Sequence, residues 1–235
     1  MPESKAYLVD CMEYMKTLPD KAFDLAVVDP PYGIKEHGGK KRSGLVTQKN
    51  GKKLFVNDGN YARKDWDNEA PKHEFFEELF RVSKNQIIFG CNYFAGEMPG
   101  CGRIVWDKVN DGSDQSDCEI AYNSMTKRCD IFRFMWRGMM QGRSMTEGTV
   151  QQGNKKLNEK RVHPTQKPVV LYRWIFQKYA KKGDRILDTH LGSGSSRIAA
   201  YEAGLDFVGC EIEKEYFDDQ ERRFEEYAAQ ESLFR

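Results

Sequence analysis

The segment Phe23-Asp24-Leu25-Ala26-Val27-Val28, followed at once by Asp29-Pro30-Pro31-Tyr32, most narrows what this chain can fold into. Its apolar residues run on without the every-other-residue alternation of a half-exposed strand, the mark of a parallel strand buried on both faces. Two adjacent prolines lack the N–H donors that a ladder needs and fix φ, so the strand must end there. The turn that leaves it is stiff and carries a carboxylate, a prolyl carbonyl and an aromatic ring. That set suits a flat base with an exocyclic amine, offering acceptors for the amine hydrogens and a ring for stacking.

The rest of the chain alternates in type. Strands are expected near residues 7–9, 86–89, 103–106, 119–122, 131–136, 185–187 and 207–210. Helices are expected over 73–82, about 168–180, 195–203 and from Lys214 onward. Strands interleaved with helices imply an α/β fold with a mainly parallel sheet. A chain of 235 residues fits a single domain over 1–235. Residues 34–66 are rich in Gly, Lys and Asn, which predicts a long, mobile, basic loop; residues 137–162 read as loop as well.

Charge is unevenly spread behind a net value of +1. Residues 35–64 hold nine Lys/Arg against two acids, and residues 127–161 hold nine against three. Residues 202–235 hold four against eleven. Two basic segments around a base-sized site fit binding to a phosphate backbone. No apolar stretch approaches a membrane span, and the first residues lack a basic head and apolar signal core. The six cysteines show no CxxC or Cys/His ligand spacing. They read as reduced thiols of a cytoplasmic protein, with no disulfide frame and no metal site.

A second motif joins a strand to a helix at Asp188-Thr189-His190-Leu191-Gly192-Ser193-Gly194-Ser195. Gly192 and Gly194 allow a tight turn whose amides approach a ligand closely. Neither a third glycine completing GxGxxG nor a GxxxxGK[ST] run is present. The next strand ends at Glu211, placed to bind the two hydroxyls of a ribose, with Glu213 as the alternative. A glycine turn with a ribose acid and no phosphate cradle suits an adenosyl ligand without phosphates.

Asp29-Pro30-Pro31-Tyr32, the Gly192/Gly194 turn and His163-Pro164-Thr165-Gln166-Lys167-Pro168 together resemble the DNA amino-methyltransferases that use S-adenosylmethionine. The motif order is that of their circularly permuted beta group, and the resemblance runs from Leu8 to about Phe217. It implies a three-layer sandwich around a mainly parallel Rossmann-like sheet, with a small target-recognition insertion over about 107–161. It further implies site-specific methylation of adenine N6 in duplex DNA, as in restriction-modification, with a homodimer compatible with the group. Cytosine N4 methylation and a catalytically silent DNA-binding relative are the alternatives.

The resemblance makes Asp29, Pro30, Pro31 and Tyr32 the catalytic turn. Asp29 and the Pro30 carbonyl would accept the N6–H bonds of a flipped-out base, and Tyr32 would stack on it, with Tyr93 or Phe94 on its other face. Direct transfer without a covalent enzyme intermediate is expected. His163, Thr165 and Lys167 would lie near the methionine carboxylate and amine, and Asp10 near the cofactor adenine or ribose. Asp188 would fix the glycine turn or contact the methionine amine. Thr189 and His190 stand where the family carries Pro and Phe, so His190 either contacts the cofactor or is satisfied within the turn. Lys40, Lys41, Arg42, Lys52, Lys53, Arg137 and Arg143 are the expected DNA contacts.

Overall fold

The structure, a computed structural model, describes residues 2–35, 44–47, 51, 53–56, 67–111 and 116–233. Strand β1 (Ser4–Leu8) leads through Asp10 into helix α1 (Cys11–Lys16), and β2 (Phe23–Val28) follows. Two short strands, β3 (Gly44–Thr47) and β4 (Lys53–Val56), precede α2 (His73–Val82) and β5 (Ser83–Phe89). Next come β6 (Arg103–Asp107), β7 (Cys118–Asn123), β8 (Cys129–Arg133), β9 (Trp136–Arg137) and β10 (Met140–Gln141). Helix α3 (Val169–Tyr179), β11 (Arg185–Asp188), α4 (Ser195–Glu202), β12 (Asp206–Glu211) and α5 (Lys214–Leu233) complete the described chain.

Eight strands form one sheet in the order β1-β12-β11-β2-β5-β7-β6-β8. From β1 to β5 every pairing is parallel; β7 runs antiparallel to both β5 and β6, and β8 is parallel to β6. The fold is therefore mixed α/β with a mainly parallel sheet.

The unbroken apolar run of β2 has its reason in the layers above and below it. Leu25 and Val27 join a core with α3, α4 and Phe224 of α5, while Ala26 and Val28 join another with α1 and α2. Helices thus cover both faces, and alternate side chains of one strand serve opposite cores. Leu25, Val27 and Val28 each contribute about 1.5–3 kcal/mol of burial, and Ala26 less. Helix α2 shows how the pattern is written, since Phe75, Phe76, Leu79 and Val82 are buried at helical spacing.

Three expectations need correcting. Residues 34–66 were to be loop, but within them β3 and β4 pair antiparallel, Leu45 opposite Phe55 and Val46 opposite Leu54. The Asn50-Gly51 pair between those short apolar runs was the available hairpin signal. Residues 137–162 also carry structure: β9 pairs with β10, Gly142 bridges to Gln151, and a short 3₁₀ turn spans Lys155–Leu157. Lastly, β7 and β8 lie inside the stretch 107–161 yet belong to the main sheet, so what stands outside it begins at about residue 134.

Candidate active site

Strands β11 and β2 are parallel neighbours, Ile186 facing Leu25 and Leu187 facing Ala26. The chain leaves β11 through α4 toward β12 on one side and leaves β2 through α2 toward β5 on the other. Connections that diverge at adjacent carboxyl ends open a crevice there, the usual ligand position in such sheets. The two sequence motifs meet at this point: the Asp29 turn continues β2, and the glycine turn continues β11.

On the β2 side, the two oxygens of Asp29 have different partners. Oδ1 accepts from the Tyr32 hydroxyl at 2.6 Å, and Oδ2 from Lys167 Nζ at 2.5 Å. The same ammonium lies 2.9 Å from Glu119 Oε2 and donates to Tyr32 Oη at 3.1 Å. Glu119 Oε1 in turn accepts from Lys108 Nζ at 3.0 Å. Burial pushes the Asp29 pKa upward, an effect the Lys167 charge only partly offsets. For Glu119 burial acts the same way, but Lys167 and Lys108 together outweigh it and hold the carboxyl at about 2.

Tyr32 is fixed from several directions. Its backbone N–H and that of Gly33 both donate to Asp67 Oδ1, at 2.7 and 2.9 Å, and Asp67 is buried. Its ring stacks on Tyr93 with centroids 5.0 Å apart and planes 17° apart. Gly90, at φ +69°, lies directly beneath, where an added Cβ would stand 2.1 Å from Tyr32 Cε1. Of the two aromatics expected on the far face, Tyr93 is 45% exposed and open to a ligand. Phe94 instead packs into the core against Phe76 and is 7% exposed, which corrects its assignment as a base-stacking partner.

On the β11 side, Asp188 fixes the glycine turn. It accepts from Ser196 Oγ at 2.5 Å and from the His190 N–H at 3.1 Å, and burial raises its pKa to about 7. Gly192 and Gly194 adopt φ of +50° and +72°, the latter preceding the first turn of α4. Glu211 accepts from Gly192 N at 2.8 Å and from Glu213 N at 2.9 Å, and burial raises its pKa. The His163 ring faces Gly192, packs edge-on against Tyr216 at 4.2 Å, and approaches Thr165 Oγ1 at 3.2 Å through Nδ1.

Asp10 caps α1 through Oδ1, accepting from Met12 N at 2.7 Å and Glu13 N at 3.2 Å. It adjoins Glu211, because Val9 N donates to the Glu211 carbonyl at 3.0 Å. His190 is engaged within the turn: Nδ1 meets Thr189 Oγ1 at 2.9 Å and the ring packs edge-on against Phe75. Burial lowers its pKa to about 4, so the imidazole is neutral. Among the described residues no cluster of His, Cys, Asp or Glu could hold a metal ion.

Lys167 departs from its expected place. Its ammonium is taken up by Asp29, Glu119 and Tyr32 on the β2 side of the crevice, rather than turned to a methionine carboxylate at the glycine turn. The reason is the anchoring of the segment before it. Gln166 binds Val162 N, Glu159 and the Lys160 carbonyl, and accepts the Trp136 indole N–H at 2.8 Å. Glu159 also caps α3 at Val169 N and receives Arg223, which reaches the Ser193 carbonyl at 2.7 Å.

Glu119, Asp67, Lys108, Glu159 and Arg223 were all missed in the sequence. Only Glu119 left a local signal, being an acid in a strand whose following residues are apolar. Of the expected DNA contacts, Lys53 and Arg143 are exposed and Arg137 is half-buried; Lys40, Lys41, Arg42 and Lys52 lie outside the described residues.

The DNA methylase family model, of the N6/N4 type, matches residues 103–222, just over half of the chain. Over 253 aligned residues the chain is 26% identical to Type II methyltransferase M.HinfI of Haemophilus influenzae, covering 92% of this chain and 67% of that protein. It is 25% identical to Type II methyltransferase M2.DpnII of Streptococcus pneumoniae, covering 92% and 87%. Among solved structures, the M1.HpyAVI–SAM complex is similar at 17% identity and a TM-score of 0.54, with 95% of this chain and 98% of that one covered. The cytosine-N4-specific PvuII DNA methyltransferase is similar at 12% identity and a TM-score of 0.56, with 95% and 87% covered. Both structural likenesses bear on the fold.

Proposed function

Because the chain belongs to the DNA methylase family, we propose that it transfers a methyl group from S-adenosylmethionine to N6 of an adenine flipped out of duplex DNA. The observation that carries this reading is the juxtaposition at one crevice of the Asp29 carboxylate and the Glu211-braced glycine turn.

The residues on the β11 side fit an adenosyl ligand. Glu211 is a buried carboxylate suited to ribose hydroxyls, and the positive-φ turn it braces at Gly192 lies beside the His163 ring, 3.9 Å from where a Cβ would stand. Glu211, Gly192, Gly194, His163 and Thr165 would hold the cofactor, with Asp10 and Asp188 bordering it. When bound, S-adenosylmethionine supplies a methyl group made electrophilic by its sulfonium.

The work on the base falls to the Asp29 turn. The amine of adenine is a weak nucleophile because its lone pair is delocalised into the ring. Asp29 Oδ1 and the Pro30 carbonyl, each accepting one N–H, draw the nitrogen toward tetrahedral geometry and stabilise the charge it gains. Asp29, its basicity raised by burial, then accepts the departing proton. Tyr32 and Tyr93 offer the rings that replace stacking lost on flipping, which costs a few kcal/mol. Burial pushes the Cys11 thiol up to about 12 and raises Cys91 and Cys210 as well, so these three stay protonated and do not serve as nucleophiles.

The test is incubation of mixed-sequence duplex DNA with labelled S-adenosylmethionine, then nucleoside mass spectrometry. Label in N6-methyladenine is expected; label in N4-methylcytosine would overturn the adenine assignment. Asp29→Ala should abolish transfer and leave cofactor affinity by calorimetry nearly unchanged, whereas joint loss of both would place Asp29 at the cofactor instead.

A further inference from the structure

Lys167 is buried, 5% exposed, among the groups that surround Asp29. Its ammonium meets three oxygens: Asp29 Oδ2 at 2.5 Å, Glu119 Oε2 at 2.9 Å and Tyr32 Oη at 3.1 Å. The Phe89 ring lies 4.8 Å away. An enclosed lysine costs several kcal/mol unless fully paired, and replacement by apolar residues is often tolerated. A buried ammonium shared by two carboxylates at a reaction centre therefore calls for a role.

The charges alternate along a row, Lys108–Glu119–Lys167–Asp29, with Lys108 3.0 Å from the second oxygen of Glu119. The row ends on one oxygen of Asp29 only. The other oxygen accepts from the Tyr32 hydroxyl at 2.6 Å, a single O–H donor placed on the acceptor that an exocyclic amine would need.

We propose that Lys167, braced by Glu119, is a positioning residue that pins Oδ2 of Asp29 and keeps the carboxylate charged, so that Oδ1 alone exchanges the Tyr32 hydroxyl for the incoming amine. The inference rests on the amino-methyltransferase reading given above. It assigns a function to a lysine whose ammonium is held by Asp29, Glu119 and Tyr32, and another to an acid outside every motif. Exchange at Oδ1 needs only the Tyr32 O–H to turn about its C–O bond toward Glu119 Oε2, 3.5 Å away, while the ion pair on Oδ2 stays intact and keeps the acceptor aimed.

The groups that face Asp29 and its partners come from every neighbouring element: Lys167 ahead of α3, Tyr172 within α3, Glu119 on β7, Lys108 after β6, Asp188 on β11, and Tyr32 on its own turn. Without Lys167 the two carboxylates would lose the cation between them and compete for a proton. Without the Glu119 charge, Lys167 would serve Asp29 alone.

The experiment follows two quantities against pH in the wild type, Lys167→Met, Lys167→Arg and Glu119→Gln. One is single-turnover methyl transfer to duplex DNA; the other is the NMR titration of the Asp29 carboxyl carbon in the protein without DNA. Lys167→Met should move the Asp29 midpoint and the acid limb of the rate upward by about 1–3 pH units. Lys167→Arg should restore most of that shift, and Glu119→Gln should move both downward.

Opposite displacement on removing the ammonium and on neutralising its second carboxylate, followed alike by midpoint and rate, is what a merely structural role would not produce. Uniform loss of rate with unmoved midpoints overturns the proposal, as does displacement of both in the same direction. Should Lys167→Met fail to fold, the Glu119→Gln midpoint decides: a fall supports the assignment, and no change overturns it. The NMR arm reports on the inference alone, while absence of label in wild-type DNA would defeat the methyltransferase reading.

Discussion

Replacing Gly90 by alanine tests the seat on which the Tyr32 ring depends. At φ +69° any L side chain is strained, at a cost of about 1–2 kcal/mol. The added Cβ would also stand 2.1, 2.4 and 2.7 Å from Cε1, Cδ1 and Cζ of Tyr32, where carbon contacts prefer about 3.5–4.0 Å. The ring cannot simply slide, because Tyr93 stacks on it and its hydroxyl is bound to Asp29 and Lys167. Overpacking of this kind costs about 1–3 kcal/mol, so the total is about 2–5 kcal/mol.

For a chain of this size that lowers Tm by about 4–20 °C. A displaced Tyr32 also loses base stacking of about 1–3 kcal/mol, which lowers kcat/KM by about five- to 150-fold. Thermal unfolding and steady-state methyl transfer measure the two effects. Gly96→Ala is the control, since nothing lies within 4 Å of its added Cβ. If Gly90→Ala matched that control in both assays, the ring would not be seated as described, and the reasoning about Tyr32 would be refuted.

Further expectations concern other parts of the crevice. Asp67→Ala removes the acceptor shared by Tyr32 N and Gly33 N, which should cost about 1–3 kcal/mol in urea unfolding and slow transfer without altering cofactor affinity by calorimetry. His190 has its folded pKa lowered from 6.5 to about 4, so the unfolded chain binds the extra proton in that window and stability falls as pH drops through it. His190→Phe should escape this loss, gaining on the wild type by about 2 kcal/mol at about pH 4.5 and by little at about pH 7, read from urea midpoints. Arg137→Gln combined with Arg143→Gln should flatten the plot of log affinity for duplex DNA against log salt by about two, measured by anisotropy; an unchanged slope would remove both from the phosphate contacts.

Much of the fold was legible because its signals are local. Helix α2 is written in four apolar residues at helical spacing, and its bounds match those read from the sequence. Where signals were weak the reading failed: β3 and β4 are four residues each, and β9 and β10 two each, too short for periodicity to declare them. The site divides along the same line. Glu211 and the two glycines could be located because strand ends and turns impose residue types at fixed offsets. Phe94 and Tyr93 could not be separated, since neighbouring aromatics carry no mark of which one the core takes.

By itself, then, the chain determined where β2 stops, that a carboxylate and an aromatic leave its end, and that a glycine turn and an acid follow at the other motif. These depend on backbone sterics and on residues a few positions apart. The tertiary structure decided which charges meet. Lys167 reaches Asp29 across 138 residues, Asp67 binds Tyr32 N across 35, and Arg223 reaches Glu159 across 64. Such pairings are set by strand order and helix packing, and a lysine three residues after a His-Pro pair looks the same in sequence whether its ammonium turns to a ligand or to a buried carboxylate.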